Sequence, residues 1–528
     1  MTVPAVRTSS GASEQPPQRV SSAADSSRDD GARRETPLPW AKLSVLICVR
    51  LSEPINATLI QPFVYQMVAD LKVAKDPRDI AFYAAMLFSS FSVCQTLTVM
   101  HWGRLSDRIG RRPVLLVGLT GYLVSFLLFG VSRSFAWALA ARCLNGLLAG
   151  NVAVIKSAFA EISDDTNRAR ILALVPLIWN VGSAAGAALG GLAADPVHQY
   201  PRWFGRSELF RTFPYLLPCL IGCSVTACGL AMAVFMLEET LVRKPAPRTI
   251  RSRAASQDMP ATEASQLLVT EAPRQRTTRE LLTPTVLRVM ATNVVIYLAL
   301  AMSNQAYPIF AATDIAHGGL GLSPRNIGYS LAISAAAVIY LQLHLYPRLE
   351  RKHGSLRCYQ IGMQLLVPCF IVLPFLSLVA AGADKSLGSL WPLVVDAGPW
   401  SAAGARYYSM WALLIAIMLI RSAGVVFVNT SINLMAVNLA PTKADLGSMN
   451  GIQQLASSTT RFIGPVISGI AWSWSIKHGL PYPFNAHLVW VLCAALTAIS
   501  LKMSVDLPQS VNVFQASRVT DRSDTEEA

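Results

Sequence analysis

The chain has 528 residues and a formal net charge of +14, yet only 14% of its residues are charged while 52% are hydrophobic. That is more apolar surface than a soluble globule of this size can bury, so a lipid bilayer is the expected solvent. The basic excess reads as membrane topology and attraction to the membrane surface, because no basic face interleaved with aromatics suggests binding to nucleic acid.

Residues 1–39 are rich in Ser, Arg, Asp and Pro and read as a disordered cytoplasmic tail. They lack the basic start, short apolar core and cleavage site of a secretory signal, so the first span itself is expected to direct insertion. Apolar stretches able to cross about 30 Å of hydrocarbon as helix follow at 43–64, 80–101, 113–131, 135–158, 171–194 and 213–236. They define a six-helix bundle over 40–238. Residues 239–284 return to the composition of the tail and read as a disordered cytoplasmic linker. Six more spans, at 287–310, 326–347, 359–380, 408–432, 448–472 and 484–503, fill a second bundle over 285–505, and 506–528 forms a closing tail. The fold class is therefore an all-α membrane protein of twelve transmembrane helices.

Lys and Arg set the orientation. Arg104, Arg108, Arg111 and Arg112 lie between spans two and three, and Arg348, Arg351, Lys352 and Arg357 between spans eight and nine, which places both loops and both termini in the cytoplasm. One loop dissents, with Arg202, Arg206 and Arg211 on the outside. The nine cysteines, among them Cys143 and Cys219 within spans, show no metal-ligand or redox spacing and read as small apolar fillers. No cofactor is expected: neither a phosphate-binding loop nor a strand-led glycine motif occurs, so an ion gradient, not ATP, is the expected energy source.

The second half copies the first. Residues 102–118 align with 346–362, matching Arg104 to Arg348, Leu105 to Leu349, Gly110 to Gly354 and Gly118 to Gly362, while Arg142 pairs with Arg421 and Gly190 with Gly469. A doubled six-span unit of one orientation is a recurring plan of secondary transporters, which rock two bundles about a site near the midplane.

"GRLSDRIGRR", Gly103 to Arg112, matches in full the signature between spans two and three of the major facilitator superfamily, which the chain resembles over about residues 40 to 505. "RCLNG", Arg142 to Gly146, is similar to the span-four motif whose Arg serves proton-coupled members. "GSAAGAALGG", Gly182 to Gly191, is similar to the span-five motif of antiporters, with Ala187 where that motif has proline, so a milder bend is expected. "RLSEP", the stretch from Gly150 to Gly182 and "GPVISG" are similar to the twelve-span drug:proton antiporter branch that includes fungal and plant zinc-induced facilitator-like transporters. The resemblance implies a cytoplasmic latch of Gly103, Asp107, Arg108, Gly110, Arg111 and Arg112, with Asp107 pairing with a neighbouring Arg or facing a helix N-terminus of the other bundle, and the two glycines permitting the turn and a close helix approach. The alternative is that these charges only end the helices and obey the topology rule. Gly182, Gly186 and Gly190 are expected to let span five pack tightly on a partner.

Charges inside spans carry the mechanism. Arg50 and Glu53 in span one, Arg142 in span four, Arg421 in span ten and Arg461 in span eleven would each cost roughly 2.5–3.5 kcal/mol if left unpaired in hydrocarbon. They are expected to face a wet cavity or each other. Arg50 and Glu53 share a helical face beside Pro54 and can pair; Glu53 is the candidate proton carrier, and a purely structural pair is the alternative. Arg142 and Arg50 are further coupling candidates, and Arg421, Arg461 and Trp179 are candidates for the cavity wall, although the two arginines can also snorkel or bond helix carbonyls. Four Arg against one Glu favour an anionic cargo. The sequence thus points to a monomeric, multi-pass carrier of the plasma or vacuolar membrane that uses protons to export a small organic compound: a drug, a secondary metabolite or an organic anion. A uniporter or importer of a small solute or metal chelate, or a transceptor that signals without flux, are the alternatives. A membrane enzyme would need clustered His or paired carboxylates at a membrane face, and none are evident.

Overall fold

The computed structural model describes residues 39–162, 168–239, 278–381, 402–441, 446–479, 484 and 487–512. The two terminal tails and the central linker lie almost wholly outside the described residues. The first half holds α1 (Trp40–Leu59), α2 (Ile80–Ile109), α3 (Arg111–Gly130), α4 (Phe135–Leu147, resuming at Asn151–Glu161), α5 (Arg168–Ala193) and α6 (Leu216–Met236). The second holds α7 (Pro284–Ala312), α8 (Pro324–Tyr340, extended by a π-helical turn Leu341–Leu345), α9 (Tyr346–Val372), α10 (Ala402–Asn438), α11 (Leu446–Lys477) and α12 (Leu488–Val505). Among the described residues there is no strand.

Local chemistry sets several of these boundaries. Thr283 caps α7 by accepting from the Val286 N–H, Ser323 caps α8 by accepting from the Asn326 N–H, and each is followed by a proline at the first helical position, where no N–H is needed. Among the described residues, seven helical stretches are apolar and long enough to cross a membrane by length and composition, or eight if α1 is joined to the short helix Val64–Asp70, bent 53° away from it. One stretch, Pro324–Ala380, contains both α8 and α9. α11 is not among the seven because its middle turns, from Gln453 to Arg461, are polar.

Span four departs from the continuous helix expected over 135–158. It breaks between Leu147 and Asn151, where the Trp102 indole N–H donates to the Leu147 carbonyl at 2.7 Å and Gly150 lies flat against the same ring. A Cβ on Gly150 would stand 2.6 Å from Trp102 Cγ. The indole takes a carbonyl that a continuous helix would have used.

The helix pairs repeat with an offset of six. α1 packs on α5 and α6 as α7 packs on α11 and α12, α3 on α6 as α9 on α12, and α2 on α4 as α8 on α10. Across the halves, α5 meets α8 and α2 meets α11. The largest contiguous core fills the second half, around Phe310, Phe370, Trp472 and Trp490, and two smaller ones fill the first. The halves close on each other at the end away from the 101–118 turn. A Cβ on Gly191 of α5 would stand 2.5 Å from the Gly328 Cα of α8, and one on Gly469 of α11 would stand 2.4 Å from the Ala85 Cβ of α2. Beside them Asp79 accepts from Lys477 Nζ at 2.6 Å and from Ser473 Oγ at 2.9 Å.

Gly469, aligned with Gly190 in the repeat, therefore faces the other half, as Gly191 does. Gly190 faces its own half, where a Cβ would stand 1.8 Å from the Leu59 carbonyl oxygen, and the position that faces α7 in the same way is Gly464, 2.6 Å from Ala301 Cβ by the same measure. Gly182 and Gly186 also lie on α1, against Pro54 and Ile55. The small-residue face of α5 thus serves α1, as close backbone approach requires.

Candidate functional site

A cavity of about 340 Å³ lies between the halves at mid-height. Its wall draws on α1, α2, α4 and α5 from one side and α7, α8, α10 and α11 from the other, and it contains Glu53, Arg142, Trp179, Arg421 and Arg461 together. A larger hollow of about 890 Å³ opens at the closed end between the halves, lined by Tyr65, Asp70, Asp314 and Arg325 among others, and holds none of the intramembrane charges.

Arg50 stands behind the cavity wall. Its guanidinium pairs with the Glu53 carboxylate three residues on, both are more than nine-tenths buried, and Arg50 Nε has no acceptor. Trp179 of α5 sits between two guanidinium groups, Arg50 at 5.4 Å from the ring centroid and Arg461 of the opposite half at 6.0 Å. Each such contact is worth about 0.5–2 kcal/mol, the more so when shielded from water. One indole face system therefore links the carboxylate-bearing helix to α11. Arg461 also donates weakly from Nε to the Ser457 carbonyl of its own helix, at 3.4 Å.

The two arginines equated by the repeat are held differently. Arg142 donates from Nε to the Leu87 carbonyl at 3.3 Å, and its guanidinium lies 4.9 Å from the Phe91 ring and 6.0 Å from the Phe129 ring. Arg421 donates from Nη2 to Asn304 Oδ1 at 2.6 Å, while its Nε has no acceptor. The neighbouring Gln305 Nε2 is also unsatisfied, as is Gln95 Nε2 on the facing wall. A buried donor without an acceptor costs about 1–3 kcal/mol. Neither Asn304, Gln305 nor Gln95 stands out in the sequence as an uncharged residue, and neither does the Asn180–Gln342 hydrogen bond that joins the halves beside Trp179. Their signal is only an amide inside an otherwise apolar run.

At the other candidate cluster the hub is Arg111. It is 8% exposed and donates to Asp107 Oδ1 at 2.6 Å, Ser106 Oγ at 2.6 Å and Glu161 Oε1 at 3.0 Å. Asp107 pairs within its own half, with a side chain two-thirds exposed, and so takes the first of the two partners expected of it. Gly110 makes the turn at φ +111°, and Glu239, just past α6, accepts from the Arg111 N–H at 2.7 Å and the Arg112 N–H at 3.2 Å. Arg112 donates to the Val234 carbonyl at 2.6 Å, and Arg108 is exposed. Gly103 corrects an expectation: it lies inside α2, which runs unbroken to Ile109, and a Cβ there would meet nothing within 4 Å, so neither the turn nor a close approach requires it. Glu161 and Glu239 escape sequence reading because they reach Arg111 from 50 and 128 residues away.

The comparisons with known proteins agree with this architecture. Over 505 aligned residues the chain is 29% identical to the Major facilitator superfamily multidrug transporter mfsB of Aspergillus fumigatus, covering 84% of this chain and 80% of that protein. It is 26% identical to the Protein ZINC INDUCED FACILITATOR 1 of Arabidopsis thaliana, over 88% of this chain and 91% of that one. The crystal structure of the human organic anion transporter MFSD10 (TETRAN) superposes with a TM-score of 0.56 at 18% identity, over 89% of this chain and all of that one, a likeness of fold. The Major Facilitator Superfamily model itself matches residues 46–465. The chain belongs to the Major Facilitator Superfamily, as a multi-pass membrane transporter rather than an enzyme.

Proposed function

We propose that the chain is a proton-coupled exporter of small organic anions, working by alternating access as a monomer of two rocking bundles, 40–238 and 285–505, in the plasma or vacuolar membrane. The observation that carries this reading is the gathering of Arg142, Arg421 and Arg461 in one cavity wall with a single carboxylate, Glu53, which Arg50 already neutralises. Such a wall attracts anions and repels lipophilic cations. The relative named a multidrug transporter supports an organic compound as cargo.

With the basic loops on the cytoplasmic face, the contacts at Gly191–Gly328 and Asp79–Lys477 close the outer end, and this form receives cargo from inside. Glu53 is here ionised and paired. Once the carrier has opened outward and released the anion, a proton on Glu53 neutralises the carboxylate and leaves the Arg50 charge to the Trp179 ring, which Arg461 shares across the bundles. Return and deprotonation restore the pair. Each cycle moves one anion out and one proton in, so two charges cross in the same electrical sense, each worth about 2.3 kcal/mol per 100 mV.

The test is flux into proteoliposomes under an imposed pH gradient, with organic acids, lipophilic cations and Zn²⁺ offered in turn to wild type and Glu53→Gln. Anion flux that follows the gradient and is lost in the variant is expected. Cation flux without anion competition overturns the anionic cargo, and anion flux indifferent to both gradient and substitution makes the chain a facilitator.

A further inference from the structure

With the basic loops in the cytoplasm, the connection 194–215 between α5 and α6 lies outside, where short loops rarely keep arginine, yet it carries Arg202, Arg206 and Arg211. It is a folded platform of three short turns, Pro196–Gln199, Pro201–Phe204 and Glu208–Thr212. The Asp195 N–H donates to the Pro214 carbonyl at 3.0 Å, and the Phe204 and Phe210 rings meet edge to face at 5.2 Å. Arg133, from the connection between α3 and α4, covers the Phe213 ring at 4.9 Å. Arg211 is used within the platform, donating to the Gly205 carbonyl at 2.9 Å and facing Glu208 at 3.9 Å.

Arg202, Trp203 and Arg206 are not used in this way. Trp203 is 86% exposed, both arginines are exposed, and among the described residues none of the three side chains has a hydrogen bond, ion pair or ring contact. Val197, His198, Phe210 and Arg211 line the large hollow between the halves, and these three do not. The two acids of the connection, Asp195 and Glu208, face His198 and Arg211, so Arg202 and Arg206 leave this surface basic. Trp137, in the first turn of α4, and Trp474, in the last turn of α11, stand half exposed at the same end of the molecule. Tryptophans gathered at the ends of spans mark the headgroup level of a bilayer, because the indole has an apolar body and one polar N–H.

We infer that the connection between α5 and α6 rests on the lipid bilayer at the closed end, with Trp203 entering the headgroup region and Arg202 and Arg206 holding the phosphates of anionic phospholipids. A planar guanidinium matches two phosphate oxygens at once, and a net negative headgroup leaves that phosphate without a competing cation of its own. The arginines that break the topology rule then have a partner on their own side of the membrane. The contact is independent of the cargo and of the coupling ion. It fastens the end of α5 that carries Gly191, where the two halves meet.

The test is tryptophan fluorescence of the full-length protein in phosphatidylcholine proteoliposomes that contain a small share of brominated phosphatidylcholine or of brominated phosphatidylglycerol. The difference between wild type and Trp203→Phe isolates the emission of one of the eleven tryptophans. That emission should be quenched by both lipids and about fivefold more effectively by the phosphatidylglycerol, an enrichment within reach of two arginines at a membrane surface. Replacing both arginines, Arg202→Gln with Arg206→Gln, should bring the phosphatidylglycerol down to the level of the phosphatidylcholine. High salt should do the same to wild type, which needs no variant to fold. Emission of Trp203 quenched by acrylamide and by neither brominated lipid leaves the surface in water, open to a soluble partner, and overturns the inference. Equal quenching by the two lipids overturns the choice of an anionic headgroup.

Discussion

Between α2 and α3 the chain turns at Gly110, and the first N–H groups of α3 are accepted by Glu239, which arrives from beyond α6. Within α9 it turns at Gly354, with φ +78°, and there Asn512, which arrives from beyond α12, accepts from the Leu356 N–H at 2.8 Å and from Ser355 Oγ at 3.1 Å. The two halves have kept the same device: a left-handed glycine and a side-chain acceptor brought back from after the sixth helix. They differ in its charge. A carboxylate at a helix N-terminus answers the helix dipole as well as the orphan N–H groups, whereas an amide answers the N–H groups alone. The first half adds Asp107 and Glu161 around Arg111, and nothing equivalent surrounds Gly354 among the described residues. The first turn is an electrostatic joint; the second is a hydrogen-bonded one.

That difference is open to attack at three strengths. The largest effect is expected at the glycines. A side chain at either position carries a strained backbone worth about 1–3 kcal/mol. At Gly110 its Cβ would also stand 2.3 Å from a Glu239 oxygen, against 3.1 Å from the nearest Asn512 atom at Gly354. Gly110→Ala should therefore lower the detergent melting temperature more than Gly354→Ala, and equal losses would mean that the displaced Glu239 side chain adds nothing.

A smaller effect, about 1 kcal/mol, is expected from either Glu239→Gln or Asn512→Ala, and salt separates them. Raising ionic strength should shrink the difference between wild type and Glu239→Gln, because the lost interaction is a half-open charge, and should leave the Asn512→Ala difference unchanged. Smallest in stability is Asp107→Asn: an ion pair whose acid is two-thirds exposed contributes about 0–1 kcal/mol. Its melting temperature should hardly move. Cysteine accessibility along the cavity should move if Asp107 also serves the outward-facing form.

What the sequence announces and what it conceals divide along chain distance. The Arg50–Glu53 pair is written in a spacing of three on one helix, and the spans are written in hydropathy. The gathering of Arg142, Arg421, Arg461 and Trp179 follows from the cost of burying charge, which leaves such residues little choice but a shared wet space. Glu239, Asn512 and the Asp79–Lys477 pair leave no such trace, since each finds its partner from over a hundred residues away and is an ordinary exposed polar residue until the fold is known. The break in α4 is hidden for the same reason: it belongs to Trp102 on another helix. Gly103 errs in the opposite direction, a motif glycine whose neighbours do not need it.

The meeting of Gly191 with Gly328 has a consequence for how such a carrier changes over generations. The closure at that end rests there on main chain against main chain, with no side chain at the point of contact for a substitution to reshape. The cavity wall can be rewritten residue by residue for a different cargo while the closure stays as it is. The closure itself admits no gradual retuning, because every other residue at position 191 puts an atom where α8 already has one.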